Sequence, residues 1–270
     1  MPVIDGATKL FVSLSERPSS NGVYFYNGMF SRLGINAVYL STPTRTLEHL
    51  RTSLDLFRVH GAAIAAPYKK EVIAHVDELT DSARSTSSVN SIKRLADGRW
   101  IGHNTDEVGL REMIGRYQPG FRTTPVVLVF GAGGVVPSVV SALRAMLPNS
   151  RIILQARKDE QGHMLAGQLG VESVKSKDVL SCDLFVNATP ASQSNFVELL
   201  RLSEKAKVVF DLLPIQEQYA FETAVQYRGQ AFIRGFEFYL AQFSEQFLFF
   251  TGIRPELTHL GALVELRSSN

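Results

Sequence analysis

Apolar positions recur along the chain in two rhythms, short β-rich runs and longer amphipathic stretches. Residues 9–13 (KLFVS), 37–41 (AVYLS) and 62–66 (AAIAA) read as buried strands, and residues 21–33 and 46–59 between them as helices. Strand and helix in alternation predict a parallel α/β sheet. Residues 93–101 (KRLADGRWI) break the rhythm, because Asp97-Gly98 between apolar flanks signals a hairpin turn.

A second alternating series opens with a helix over 105–117, capped by Asn104 or Thr105. A continuous apolar strand over 125–130 (PVVLVF) runs straight into Gly131-Ala132-Gly133-Gly134. A helix to 147, a strand over 151–156, a helix over 160–169 and strands over 183–187 and 207–213 follow. Two closing helices are expected over 237–251 and 255–267. The seven phenylalanines and tyrosines between Phe236 and Phe250 read as core or interface.

Composition narrows the class. At 270 residues the chain is long enough for two cores and needs neither disulfide nor metal as a staple. Lys and Arg total 28 against 26 Asp and Glu, with no basic block, which argues against a nucleic-acid partner. Cys182 is the only cysteine, which excludes an intrachain disulfide and fits a reducing cytoplasm. The six histidines lack paired ligand spacing, so no metal site is expected. No export signal or membrane span is legible, and a soluble cytoplasmic protein, monomer or homodimer, is expected.

The glycines gain meaning from their context. Gly131 and Gly133, between a buried strand and an apolar-periodic helix, permit a tight turn and close approach of a pyrophosphate to the helix N-terminus. The sixth position of this fingerprint is Val136 rather than Gly or Ala, and Pro137 follows in a first turn that tolerates it. At the end of the next strand, Arg157 suits a 2′-phosphate and Asp159 a free ribose hydroxyl, leaving NADP or NAD open.

Gly61-Ala-Ala-Ile-Ala-Ala-Pro67-Tyr68-Lys69 brings a lysine out after an apolar strand, at the edge where α/β sheets bind ligands. Val89-Asn90-Ser91 and Asn104-Thr105-Asp106 add amides and a carboxylate. In order, Ser13-Leu14-Ser15, Pro67-Tyr68-Lys69, Ser88-Val89-Asn90-Ser91, Asn104-Thr105-Asp106, Gly131-Ala-Gly-Gly134, Asn187-Ala-Thr-Pro190, Asp211, Gly235 and Gln242 resemble the shikimate dehydrogenase family over nearly the whole chain. The segment SLSERPS is most similar to that family's shikimate dehydrogenase-like branch.

The resemblance implies an N-terminal α/β substrate-binding and catalytic domain over 1–104, a Rossmann NAD(P)-binding domain over 105–235, and C-terminal helices over 236–270 returning to the first domain. It implies Lys69 and Asp106 as the catalytic pair, Ser13 and Ser15 as the grip on a substrate carboxylate, and Asn90 and Gln242 as polyol-binding amides. Cofactor contacts are expected at Gly131, Ala132, Gly133, Gly134, Arg157, Asp159, Asn187, Thr189 and Gly235. The implied reaction moves a hydride between nicotinamide and a ring secondary alcohol of shikimate or a related hydroxylated ring carboxylate. An acid–base group is obligatory for that chemistry, because the hydroxyl must lose its proton as the carbon loses its hydride.

Three departures bear on substrate. Ala63 and Ala65 stand where the family's NVTVPFK segment has Asn and Thr, and Leu213 replaces a substrate-facing tyrosine. Fewer hydroxyl partners point to a less hydroxylated or differently substituted ring. Quinate or aminoshikimate oxidation is the alternative on the same scaffold, and a non-catalytic dinucleotide-binding regulator the alternative from another class.

Overall fold

The structure is a computed structural model that describes residues 4–117, 120–189, 196–213 and 219–256. It divides into two compact units: the described residues up to Asp106 joined by those from Gln242 onward, and Glu107–Ala241.

The first unit holds β1 (Lys9–Ser15), α1 (Ser20–Arg32), β2 (Ala37–Pro43), α2 (Leu50–Leu56), β3 (Val59–Ile64), a 3-10 turn (Glu71–His75), β4 (Glu78–Leu79), α3 (Asp81–Thr86), β5 (Ser91–Arg94) and β6 (Trp100–His103). Its six strands lie in the order β2-β1-β3-β5-β6-β4. The sheet is mixed, because the expected Asp97-Gly98 turn folds β6 back on β5 and β5 runs antiparallel to β3. Gly98 has φ +88, the left-handed geometry such a turn requires. The helix expected over 46–59 is shortened to α2, since Arg58 turns left-handed (φ 49) and Val59 already pairs in the sheet. For the same reason β3 begins three residues before the expected strand.

Alternation along β1 and β3 sorts the two faces. Val12, Leu14, Ala62 and Ile64 join a core with Leu47, Val72 and Trp100. The opposite face is aromatic: Phe11 stacks on Phe250 with centroids 5.4 Å apart, and Tyr26 on Tyr39 at 4.2 Å. Higher on this face one cross-strand row reads Ser41, Ser13, Ala63, Ser91, His103, polar except at Ala63.

The second unit takes α4 (Thr105–Tyr117) from its third residue onward, then β7 (Val126–Phe130), α5 (Val136–Met146), β8 (Arg151–Gln155), α6 (Asp159–Leu169), β9 (Glu172–Val174), β10 (Cys182–Asn187), α7 (Phe196–Leu202), β11 (Ala206–Asp211), α8 (Tyr219–Tyr227) and β12 (Ala231–Arg234). A final helix, α9 (Gly235–Thr251), starts in this unit and passes into the first at Gln242. The strand order β12-β11-β10-β7-β8-β9, parallel throughout, is that of a doubly wound sheet. Val127 and Val129 enter the core on one face and Leu128 and Phe130 the core on the other, which is why this strand reads as an unbroken apolar run.

The elements β4, α3, β9, α7 and β12 are too short to show a period, and α8, amphipathic over its nine residues, was not anticipated. The closing helix expected over 255–267 falls, beyond Glu256, outside the described residues. Among the described residues no helix is long and apolar enough to cross a membrane, and no cluster of three or more His, Cys, Asp or Glu is placed to hold a metal ion.

Candidate active site and dinucleotide turn

Beyond β3 the Ala65 N–H continues the ladder to Leu14 O (3.0 Å), and Tyr68 is anchored by its hydroxyl on Thr44 O (2.7 Å). The next side chain is Lys69, whose carbonyl accepts the Val89 N–H at 2.8 Å. Its ammonium donates to Asp106 Oδ2 at 2.6 Å, and both side chains are largely but not wholly buried. Asp106 is the second residue of α4, where unsatisfied amides favour a carboxylate. Two residues 37 positions apart therefore meet through the fold alone.

The amide groups expected on polyol hydroxyls are tied together around Thr105. Asn90 Oδ1 accepts the Thr105 N–H at 2.9 Å, closing the start of α4 from the bend just before β5, and also accepts the Ser91 hydroxyl at 2.9 Å. Asn90 Nδ2 and Gln242 Nε2 both donate to Thr105 Oγ1, at 2.9 and 2.7 Å. Ser13 donates to Ser41 Oγ at 3.0 Å, and Ser15 lies two residues on along the same face of β1. The structure thus brings Lys69 and Asp106 together, and gathers Asn90 and Gln242 on a shared hydroxyl.

Sequence reasoning took Thr105 only as a helix cap and a member of the Asn104-Thr105-Asp106 motif, and did not read Ser41 or Gln246 as site residues. Gln246 donates to Ser91 Oγ at 2.6 Å and accepts from the Tyr26 hydroxyl at 2.8 Å, pinning α9 to the sheet. The four-residue spacing of Gln242 and Gln246, which puts both on one helix face, was the available signal. Ser41 had none, since only strand register places it beside Ser13.

In the second unit β7 is followed at once by Gly131, with φ +141, a conformation side chains rarely adopt. A Cβ there would also stand 2.7 Å from the Ala188 carbonyl oxygen. Gly133 and Gly134 are exposed, and a Cβ on Gly134 would meet nothing within 4 Å. No side chain caps α5 at Val135; the Val136 N–H turns back to Gly133 O at 3.1 Å and Pro137 has no N–H, so it is the glycine backbone of the turn, at the positive end of the helix, that an anion would approach. Val136, in place of the third glycine, is fully buried in the core. Open space over an uncapped helix start, reached by a backbone with no Cβ, fits a dinucleotide pyrophosphate.

Other expected cofactor residues divide. Ala132 lies in the turn, and Arg157 is exposed after β8. Asp159, in the first turn of α6, spends Oδ1 on the Ser176 N–H at 2.7 Å. Asn187 and Thr189 are buried and bonded to each other. At Gly235 a Cβ would fall 2.6 Å from Asp211 O and would strike Leu213 O, so only glycine fits. Cys182 is buried, and burial first, then the Asp183 charge, push its thiol up to about 12, leaving it no nucleophilic role.

Comparison with known proteins bears on the family and the fold. Residues 18–92 match the shikimate dehydrogenase substrate binding domain. A shikimate dehydrogenase-like protein of Haemophilus influenzae is 29% identical over 262 residues, covering 94% of each chain. A shikimate dehydrogenase (NADP(+)) of Salinibacter ruber is 34% identical over 203 residues, 69% of this chain and 70% of that protein. The solved structure of a shikimate 5-dehydrogenase-like protein superposes with a TM-score of 0.84 at 27% identity, covering 97% of this chain and 98% of that one. With the two-unit fold, the doubly wound second sheet and these relatives, the chain belongs to the shikimate dehydrogenase family of NAD(P)-dependent oxidoreductases.

Proposed function

We propose that the protein interconverts a ring secondary alcohol and its ketone on shikimate or a closely related hydroxylated ring carboxylate, with NADP or NAD as hydride carrier. The observation that carries this reading is the 2.6 Å Lys69–Asp106 pair. The dinucleotide, when bound, accepts the hydride that leaves the carbinol carbon. Uncharged Lys69 takes the proton of the same hydroxyl, so that carbon and oxygen together lose two electrons and two hydrogens. In the reverse direction the Lys69 ammonium returns the proton to the oxygen as the ketone is reduced. Asp106 holds the lysine amine in place and accepts from a neighbouring ring hydroxyl.

Ser13 and Ser15 present hydroxyls to the ring carboxylate, with Ser41 behind Ser13. Gln242 and Asn90 act by fixing the Thr105 hydroxyl. Ala63, cross-strand from Ser13, and Ala65 beyond it offer no polar group, which supports a ring lacking or substituted at one hydroxyl. In the second unit Gly131, Ala132, Gly133 and Gly134 receive the pyrophosphate, and Gly235 keeps the neighbouring turn close. Arg157, exposed after β8, supports NADP, whereas Asp159, which accepts the Ser176 N–H on Oδ1 alone, keeps its charge and a second oxygen for a free ribose hydroxyl and supports NAD.

The test is absorbance of reduced nicotinamide with shikimate, quinate and aminoshikimate, each paired with NAD and NADP, for the parent and Lys69→Ala. Lysine-dependent reduction with one pair is the expected result. A parent that binds dinucleotide but turns over none of these ring acids or their ketones would overturn it and favour a regulator.

A further inference from the structure

Behind the glycine turn the ends of β7, β10 and β11 are zipped together. Asn187 is in register with Phe130 on one side and Asp211 on the other. The Ala188 N–H donates to Phe130 O at 2.8 Å, and the Leu212 N–H to Asn187 O at 3.1 Å. Asp211 is 1% exposed, and no part of Asn187 reaches solvent.

Their side chains form a directed chain. Asn187 Nδ2 donates to Asp211 Oδ1 at 2.8 Å, while Asn187 Oδ1 accepts both the N–H (3.1 Å) and the hydroxyl (2.7 Å) of Thr189. An ionised carboxylate only accepts, so it faces the NH2 end of the amide and turns the carbonyl end toward Thr189. That pair of hydrogen bonds fixes the backbone of Ala188 and Thr189. The Ala188 carbonyl is the atom lying over Gly131, 2.7 Å from where a Cβ would be. Asp211 Oδ1 also accepts the Leu213 N–H at 3.2 Å, and its own carbonyl closes against Gly235.

We propose that Asp211 is a positioning residue of the dinucleotide site: through Asn187 it sets the Ala188–Thr189 segment that walls the glycine turn, and so controls dinucleotide affinity without acting on the ring acid. The proposal rests on the reading of this unit as a dinucleotide binder and assigns Asn187 and Thr189 to shaping the site from behind. Burying a carboxylate is costly, and desolvation pushes this one up to about 6 against the lowering effect of Leu213 and Asn187. A packing role alone would be met more cheaply by an apolar side chain.

The experiment titrates NADPH and NADH fluorescence, without ring acid, against the parent, Asp211→Ala, Asp211→Asn and Thr189→Val. Removing the acceptor in Asp211→Ala leaves the Asn187 amide unoriented and weakens dinucleotide binding about tenfold. Thr189→Val loses one bond of the clamp and weakens it about threefold. Asp211→Asn, which still presents an oxygen to Asn187 and Leu213, stays within about twofold of the parent. At saturating dinucleotide the KM for the ring acid does not move in any variant. Parent-like dinucleotide affinity in Asp211→Ala, or equal losses in Asp211→Asn and Asp211→Ala, would overturn the proposal. Should Asp211→Ala fail to fold, Thr189→Val decides: parent-like binding there overturns it and weakened binding supports it. A parent that binds neither dinucleotide overturns the underlying reading, and the proposal with it.

Discussion

The two units build their sites from different materials. Around Lys69 the polar contacts run between side chains far apart in sequence, as between Lys69 and Asp106 or Thr105 and Gln242. Around Gly131 the surface offered is backbone, and the polar side chains of Asn187, Thr189 and Asp211 are withdrawn behind it. Proton exchange needs a titratable group held at one place, which only a side chain can supply. A pyrophosphate needs several N–H donors at close range, which the main chain supplies best where no Cβ intrudes. Substitutions should therefore separate chemistry from dinucleotide binding cleanly.

The largest expected effect is on chemistry. Lys69→Ala should lower kcat by about 10³-fold while dinucleotide Kd stays at the parent value. A matched loss of dinucleotide affinity, read by fluorescence titration, would break the division between the units. Next comes the backbone site, where Gly131→Ala must adopt a strained φ and meet the Ala188 carbonyl. At about 1–3 kcal/mol of strain, dinucleotide affinity should fall about 10- to 100-fold with the ring-acid site intact, as measured by calorimetry with each ligand.

A smaller effect is expected at the hydroxyl shared by Asn90 and Gln242. Thr105→Val leaves two amide donors without their acceptor, and the KM for the ring acid should rise about tenfold at unchanged dinucleotide Kd. A pure kcat loss would instead place Thr105 with the proton-transfer pair. The fourth effect is on stability and has a defined sign. Asp211 is raised from 3.8 to about 6, so the folded state holds its proton more tightly than the unfolded chain does. The stability tied to that proton is present below pH 3.8 and is lost as pH rises through about 6. Asp211→Asn should thus be more stable than the parent at pH 8, by up to about 3 kcal/mol, and show little gain at pH 4. Denaturant melts at the two pH values check it, and an equal gain at both would remove the buried charge as its cause.

Much of the second unit could be read directly. The run VVLVF, the glycines after it and Pro137 in the helix start lie within about a dozen consecutive residues, and local geometry turns that order into a strand, a turn and an uncapped helix. The first unit was legible in outline, with α1 found within one residue and the Asp97-Gly98 hairpin in place. Residues 46–59 misled because amphipathic spacing continues past the point where Arg58 turns left-handed and strand pairing takes over. Asp159 was weighed as a ribose ligand; one of its two oxygens also accepts an amide 17 residues away, a contact no local pattern encodes.

By itself, then, the sequence determined the alternation of strands and helices, the glycine turn and the residue types available for proton exchange. Those follow from periodicity, backbone sterics and functional-group chemistry, all local properties. Tertiary structure alone decided that Asn90 serves Thr105 and that Ser41 backs Ser13. It also decided that Asp211 governs Asn187 and, through it, the wall over Gly131. Each of these depends on which strand lies beside which and in what register, and register is fixed by the burial of whole faces rather than by any one residue's neighbours in the chain.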